Sequence, residues 1–233
     1  TGMHRLGLSV SELDSVMPAL NQSQNLKAPI VFMTHFSDSD NPDNPKTQAQ
    51  HDAFYAAIKP YDAETSTTNS AAILQGLDSD SDWIRPGIML YGASPFANDT
   101  GLDHDLEPVM TLKSRLIQIK TLNIGDEIGY GSDFTCPKIM TTGIVAIGYG
   151  DGYPRNISAN TPVMIQGQRC QILGRVSMDM ISVDVSAIEN PKIGDAVILW
   201  GKSLAVETIA HCANTNAYEL LTRMANRPSL KHY

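Results

Sequence analysis

A tyrosine set between two glycines, Gly129-Tyr130-Gly131, places a hydroxyl on a segment free to turn where other residues resist. A phenol can carry a proton to or from a substrate, but as a base it needs positive charge or donors nearby. By residue type alone, Tyr130 could equally be a packing or interface aromatic with its hydroxyl satisfied. Asn69-Ser70 precedes the run Ala71-Ala72-Ile73-Leu74, which suits either a helix cap or an anion cradle. Arg85, in Ile84-Arg85-Pro86-Gly87, is either a solvated strand start or a donor that never gives up its charge. The run Gly148-Tyr149-Gly150-Asp151-Gly152-Tyr153 lacks the glycine spacing of a dinucleotide fingerprint and reads as a tight β-turn. Cys136, Cys170 and Cys212 are odd in number with no close pair, which fits neither a disulfide framework nor a zinc site. They read as free thiols in a reducing compartment, and no metal is expected.

The elements that must position these groups belong to an ordinary globular chain. Of 233 residues, 42 % are apolar and 18 % charged, which excludes a disordered polymer and allows one large domain or two smaller ones. Seventeen basic and 25 acidic residues give a formal charge of -8, so nothing electrostatic favours nucleic acid. There is no apolar run of about 18 residues and no secretory h-region, so no membrane partner and a cytoplasmic location are expected. The opening Thr1-Gly2-Met3-His4 has no initiator methionine and reads as the middle of a longer protein.

The first hundred residues alternate strand and helix patterns. Leu13, Val16, Met17 and Leu20 form an apolar stripe, predicting a helix over Ser11 through Leu20. An apolar strand is expected within Pro29–Phe36, a helix from Lys46 to Ile58, a strand near Glu64 and helical character from Ala71 to Leu74. Ile84 to Gly92 reads as a further strand region, opened by a turn. This spacing suggests parallel crossover units, with polar residues gathering at the strand ends. From about Pro108 the texture becomes short β-branched segments at Met110–Ile119, Thr141–Ile147, Val163–Ile165, Gln171–Gly174, Ile181–Val185 and Ala196–Trp200. They predict a mostly antiparallel β domain, closed by short helices at Ala205–Cys212 and Tyr218–Met224.

Several phrases, in order, resemble the alanine racemase family. They are Thr1-Gly2-Met3-His4-Arg5-Leu6-Gly7, Met33-Thr34-His35-Phe36, Asn69-Ser70, Arg85 to Gly92, Ile147 to Arg155, Gly174 to Met180 and Asn216 to Leu221. The resemblance covers essentially the whole chain. It implies an α/β fold in which residues 1–107 form the C-terminal part of a (β/α)8 barrel that binds pyridoxal 5'-phosphate. Residues 108–233 would be the β-rich C-terminal domain. The implied activity is isomerisation of L-alanine and D-alanine by two-base α-proton transfer, in a homodimer whose active sites are shared across the interface. In the family, D-alanine feeds peptidoglycan of the cell wall, although some relatives serve alanine catabolism.

Residue roles follow from the same resemblance. Tyr130 matches the tyrosine base that reaches the opposite subunit's site. Arg5 resembles the arginine near the substrate carboxylate, and His35 orients its neighbours. Arg85 resembles the arginine that donates to the cofactor's ring nitrogen. Ser70, Gly87, Ile88 and Tyr218 are the expected phosphate partners. Met178 and Asp179 are expected to line the substrate pocket from the partner subunit, and Tyr149 to border it while shaping its entrance with Asp151, Tyr153 and Arg155. None of Lys27, Lys46, Lys59, Lys113, Lys120, Lys138, Lys192, Lys202 or Lys231 stands in the context of the cofactor lysine. That lysine is expected upstream of Thr1, so the isolated chain is expected to be inactive. A broad-specificity or serine racemase of this fold, and a non-catalytic cofactor-binding regulatory protein, remain alternatives. A carbohydrate-binding β module is poorly supported at 6 % aromatic content.

Overall fold

The computed structural model describes residues 1–26, 29–77 and 79–232. Lys27, one of the lysines weighed above, lies outside the described residues. Two compact units emerge: Thr1–Leu90 with Pro95–Asp99, and Tyr91–Ser94 with Thr100–Tyr233.

In the first unit, helix α1 spans Leu13–Gln22 and follows a 3-10 turn at Val10–Glu12. The turn is closed by Ser9 and Glu12, the Ser9 N–H donating to Glu12 Oε2 at 2.8 Å. The predicted stripe is the inward face: Met17 is buried, and Leu13, Val16 and Leu20 are half-buried. Strand β1, Val31–Met33, pairs in parallel with β2, Glu64–Ser66, and helix α2, Lys46–Ile58, runs between them. This β-α-β unit is the crossover that the alternating pattern predicted. Helix α2 buries Gln50, Phe54 and Ile58, four residues apart and therefore on one face. Helix α3, Ser70–Leu74, is capped by Asn69, whose side chain accepts from the Ala72 N–H at 3.0 Å.

One expectation fails in this unit. Ile84 to Gly92 is not a strand: beyond a bridge between Ser66 and Trp83, the chain enters a 3-10 turn at Ile88–Tyr91. The reason is local. Pro86 has no N–H for a ladder, the Arg85 N–H donates to Thr68 O at 2.9 Å, and the Gly87 N–H donates to Ser70 Oγ at 2.8 Å. The donors a strand would need are spent on the start of α3.

The second unit is built on a closed barrel of six antiparallel strands. They are β3 (Leu112–Leu122), β6 (Met140–Val145), β7 (Pro162–Ile165), β8 (Gln168–Leu173), β9 (Ile181–Asp184) and β10 (Ala196–Trp200). The order around the barrel is β10-β3-β6-β9-β8-β7, closed by β10 with β7. Inward residues such as Leu116, Val145, Val163, Val183, Val197 and Leu199 are fully buried. Closure removes the sheet edges that would otherwise seek a partner. A small hairpin missed in the sequence, β4 (Glu127–Ile128) with β5 (Phe134–Thr135), stands beside the barrel. Its base packs Ile128, Cys136, Met140 and Leu173 together, with Leu122 and Phe134 against them. Helices α4 (Val206–Cys212) and α5 (Ala217–Thr222) complete the unit. Glu207 Oε1 accepts from the N–H groups of Ser94 at 2.7 Å and Gly101 at 2.8 Å, joining α4 to the entry segments.

Candidate active site

The C-terminal end of β2 runs into an unusual stretch of buried polar residues. Thr65, Ser66, Thr67, Thr68 and Ser70 are all buried, where apolar side chains would be the default. Buried polar groups need partners, and most of these face Arg85 or the start of α3. Arg85 Nη1 donates to Ser66 Oγ at 2.5 Å, and Nη2 donates to Thr34 O at 2.7 Å and Thr67 O at 3.2 Å. Its Nη2 also lies 3.4 Å from His35 Nδ1. All four partners are neutral acceptors. Burial lowers the Arg85 pKa, but a guanidinium remains charged at neutral pH. The Nε–H and the second N–H of Nη1 have no acceptor among the described residues.

His35 follows β1, and its pKa is held below the ordinary value by burial first, then by the charges of Arg85 and Arg5. A neutral ring accepting at Nδ1 carries its proton on Nε2. Gln50, fully buried on α2, holds this segment: its Nε2 donates to His35 O at 3.2 Å, and its Oε1 accepts from Ser37 N and Oγ, both at 2.9 Å. Arg5 is exposed on the segment that begins at Thr1. Thr1 Oγ1 and Thr34 Oγ1 share a 2.5 Å hydrogen bond, and Gly2 packs on the Gln50 carboxamide, where a Cβ would come within 2.8 Å.

Ser70 opens α3, and its Oγ accepts from Gly87 N at 2.8 Å and Met89 N at 3.5 Å. Its own proton is free to donate, and Ile88 stands between the two N–H groups. Two residues earlier, the buried Thr68 Oγ1 has no hydrogen-bond partner among the described residues. These features fit pyridoxal 5'-phosphate. A ring nitrogen can accept from the committed cation Arg85, and phosphate oxygens can accept from the Ser70 hydroxyl and the Ile88 N–H, the N–H groups of Gly87 and Met89 being held by Ser70 Oγ. A cleft of about 250 Å³ elsewhere in this unit, lined by residues including Phe36, Pro42, Thr47, His51 and Gln75, contains none of the expected site residues.

In the second unit, Tyr130 lies in a 3-10 turn at the tip of the β4–β5 hairpin and is 73 % exposed. Gly129 and Gly131 take φ of 77° and 75°, conformations that favour glycine. Arg175 braces this turn through a two-point ion pair with Asp133, its Nη2 donating to Oδ1 at 2.8 Å and its Nε to Oδ2. Arg175 also begins the segment bearing Met178 and Asp179, so one residue joins the tyrosine turn to that segment. Tyr149 is joined to it too: the Tyr149 N–H donates to Ser177 O at 3.1 Å and the Gly150 N–H to Met178 O at 2.7 Å. Met178 and Asp179 are exposed, and the Arg155 guanidinium lies 5.9 Å above the Tyr149 ring. Tyr218 lies in the first turn of α5 and is half exposed.

The expected entrance role fails for Tyr153. Its side chain is 0 % exposed, stacked on Trp200 with ring centroids 5.9 Å apart, and burial pushes its phenol pKa well above the ordinary value. It belongs to the core because the turn at Gly152 directs it inward. Asp151 is also buried, accepting from the Gly148 N–H at 2.9 Å and facing Arg227 Nε at 3.3 Å.

The structure thus gathers His35, Arg85 and their partners, and Ser70 with Gly87 and Ile88, in the first unit. It gathers Tyr130, Tyr149, Met178 and Asp179 around the Arg175 segment in the second. Sequence reasoning missed Ser66, Gln50, Arg175 and Asp133. Only Arg175 had a signal, since it stands inside a quoted motif.

Comparison with known proteins agrees along the whole chain. Residues 1–95 match the family described as alanine racemase, N-terminal domain, and residues 109–232 match alanine racemase, C-terminal domain. An alanine racemase of Shewanella denitrificans is 48 % identical over 227 residues, 97 % of this chain and 62 % of that protein. One from Aeromonas hydrophila is 43 % identical over 232 residues, covering 100 % of this chain and 65 % of its own length. The crystal structure of biosynthetic alanine racemase from Pseudomonas aeruginosa superposes with a TM-score of 0.91 at 36 % identity, over 97 % of this chain and 63 % of that one. The alanine racemase from Bartonella henselae, solved with covalently bound pyridoxal phosphate, gives 0.86 at 30 % identity, with the same coverage. The chain spans about 62 % of the length of the first of these curated relatives. With both of its halves matched to the two domains of one family, this chain belongs to the alanine racemase family.

Proposed function

We propose that the full-length protein is a pyridoxal 5'-phosphate-dependent isomerase that interconverts L-alanine and D-alanine. The observation that carries the reading is Arg85: a cation held by neutral acceptors, beside a histidine kept neutral, with donors left over for a ligand. The family membership points the same way. When bound, the cofactor supplies the electron sink that makes the α-hydrogen of alanine acidic.

The chain's own residues orient that chemistry. Arg85 would donate to the ring nitrogen without giving up its own proton, so the electron sink supplied there would stay modest. Ser70, the backbone around Gly87 and Ile88 with the Ile88 N–H as donor, and Tyr218 would hold the phosphate. Arg5 faces the substrate carboxylate, and His35 orients its neighbours. Tyr130 Oη moves the proton on one face of a site in the partner subunit of a homodimer. The lysine that would hold the cofactor serves the other face. Met178, Asp179 and Tyr149 line a pocket small enough to favour alanine. In this reading residues 1–107 supply part of a (β/α)8 barrel and residues 108–233 the β domain, in a cytoplasmic enzyme.

The test is D-alanine formation from L-alanine by the cofactor-loaded full-length protein, with L-serine and L-arginine as competing substrates. Robust turnover of alanine is expected, and at least tenfold lower kcat/KM on the others. Absence of alanine turnover with cofactor bound would overturn the assignment, and a preference for serine would move it to a neighbouring racemase class.

A further inference from the structure

Among the described residues, Ser66 is the neutral acceptor around Arg85 that is neither a backbone carbonyl nor a ring. Its Oγ accepts from Arg85 Nη1 at 2.5 Å and donates to Trp83 O at 3.2 Å. With its single proton committed to Trp83, the hydroxyl turns its lone pairs toward the arginine. The peptide bridge between Ser66 and Trp83 fixes where that oxygen sits, and the residue is 5 % exposed, so water does not compete.

The geometry of a guanidinium makes this contact matter. The carbonyls of Thr34 and Thr67 both hold Nη2, which pins one end of the fork. Contacts at one nitrogen still allow the plane to swing about it. A second anchor at Nη1 stops the swing, and Ser66 is that anchor. The Nε–H and the remaining Nη1 N–H then keep a constant direction. We propose that Ser66 is a positioning residue that fixes the plane of the Arg85 guanidinium and so aims one free N–H at the single lone pair of the cofactor's ring nitrogen. The aim at the cofactor rests on the proposed function; the Ser66–Arg85 anchoring does not.

The experiment compares full-length wild type, Ser66→Ala and Ser66→Thr. Three properties are measured: hydrogen exchange of the Arg85 guanidinium protons by NMR without cofactor, the absorption band of bound pyridoxal phosphate, and kcat/KM for alanine. In Ser66→Ala the Arg85 protons should exchange about tenfold faster or more, and the cofactor band should shift. Racemisation should fall by about 10- to 100-fold, the scale expected for a misaligned group. Ser66→Thr keeps the hydroxyl and should restore the exchange protection and the band. Unchanged Arg85 exchange in Ser66→Ala overturns the proposal, as does equal loss in both variants. If wild type lacks racemase activity, the assigned function fails, while the exchange comparison still decides the role of Ser66.

Discussion

At the scale of single residues, the site works by withholding charge from one base and committing it to another. Burial, with Arg85 and Arg5 nearby, depresses the His35 pKa, so the folded state prefers the neutral ring. The consequence for stability has a definite sign. In the unfolded chain histidine takes a proton near pH 6.5. In the folded protein it does so only at lower pH, so between those values the unfolded state binds more protons and stability falls with acidification. His35→Gln removes that contribution. The gap between the urea midpoints of wild type and His35→Gln should therefore move in favour of the variant as pH drops below about 6.5. A gap independent of pH would show that His35 is not held neutral. The candidate residues themselves were legible in sequence only through ordered motifs. Arg85 has no local spacing that marks it, and Ser66 and Gln50 act through contacts between distant segments that no sequence window contains.

At the scale of elements, periodicity succeeded where an element buries one continuous face. The stripe of Leu13, Val16, Met17 and Leu20 marks the inward face of α1, α2 has the expected bounds Lys46 to Ile58, and β10 is an uninterrupted apolar run. The segment from Ile84 to Gly92 looked like a strand by composition, but its backbone donors go to Ser70 and Thr68. The hairpin carrying Tyr130 was missed because its strands are two residues each, too short to show alternation. The close approach of elements also makes a prediction. A Cβ on Gly148 would lie 2.2 Å from Ser177 O and 2.5 Å from the Met178 carbonyl carbon, so the Tyr149 turn and the Met178–Asp179 segment touch through backbone. Backbone cannot step aside as a flexible side chain does. Gly148→Ala should cost about 1–3 kcal/mol of stability, the usual range for overpacking. It should also raise KM for alanine by displacing Met178 and Asp179. A urea midpoint within error of wild type would refute the contact.

At the scale of the whole molecule, the second unit shows how a closed sheet hides a polar problem. Tyr153 and Trp200 stack in the barrel-side core, both 0 % exposed, and neither Tyr153 Oη nor Trp200 Nε1 has a hydrogen-bond partner among the described residues. A hydroxyl stripped of water without compensation costs about 1–3 kcal/mol. The ring itself contributes in the other direction, through burial and stacking. Tyr153→Phe separates the two, since it keeps the ring and removes the uncompensated oxygen. The expected result is a folded protein as stable as wild type or more stable by about 1 kcal/mol. Activity should be retained, because a residue so enclosed is not part of an entrance. Tyr153→Ala should instead lose about 3–5 kcal/mol, as a large aromatic cavity opens in the core. Urea unfolding of the full-length protein measures both. A marked loss in Tyr153→Phe would mean that the hydroxyl is bonded in solution, through an ordered water bridging it to Trp200 Nε1 or to the nearby Cys212.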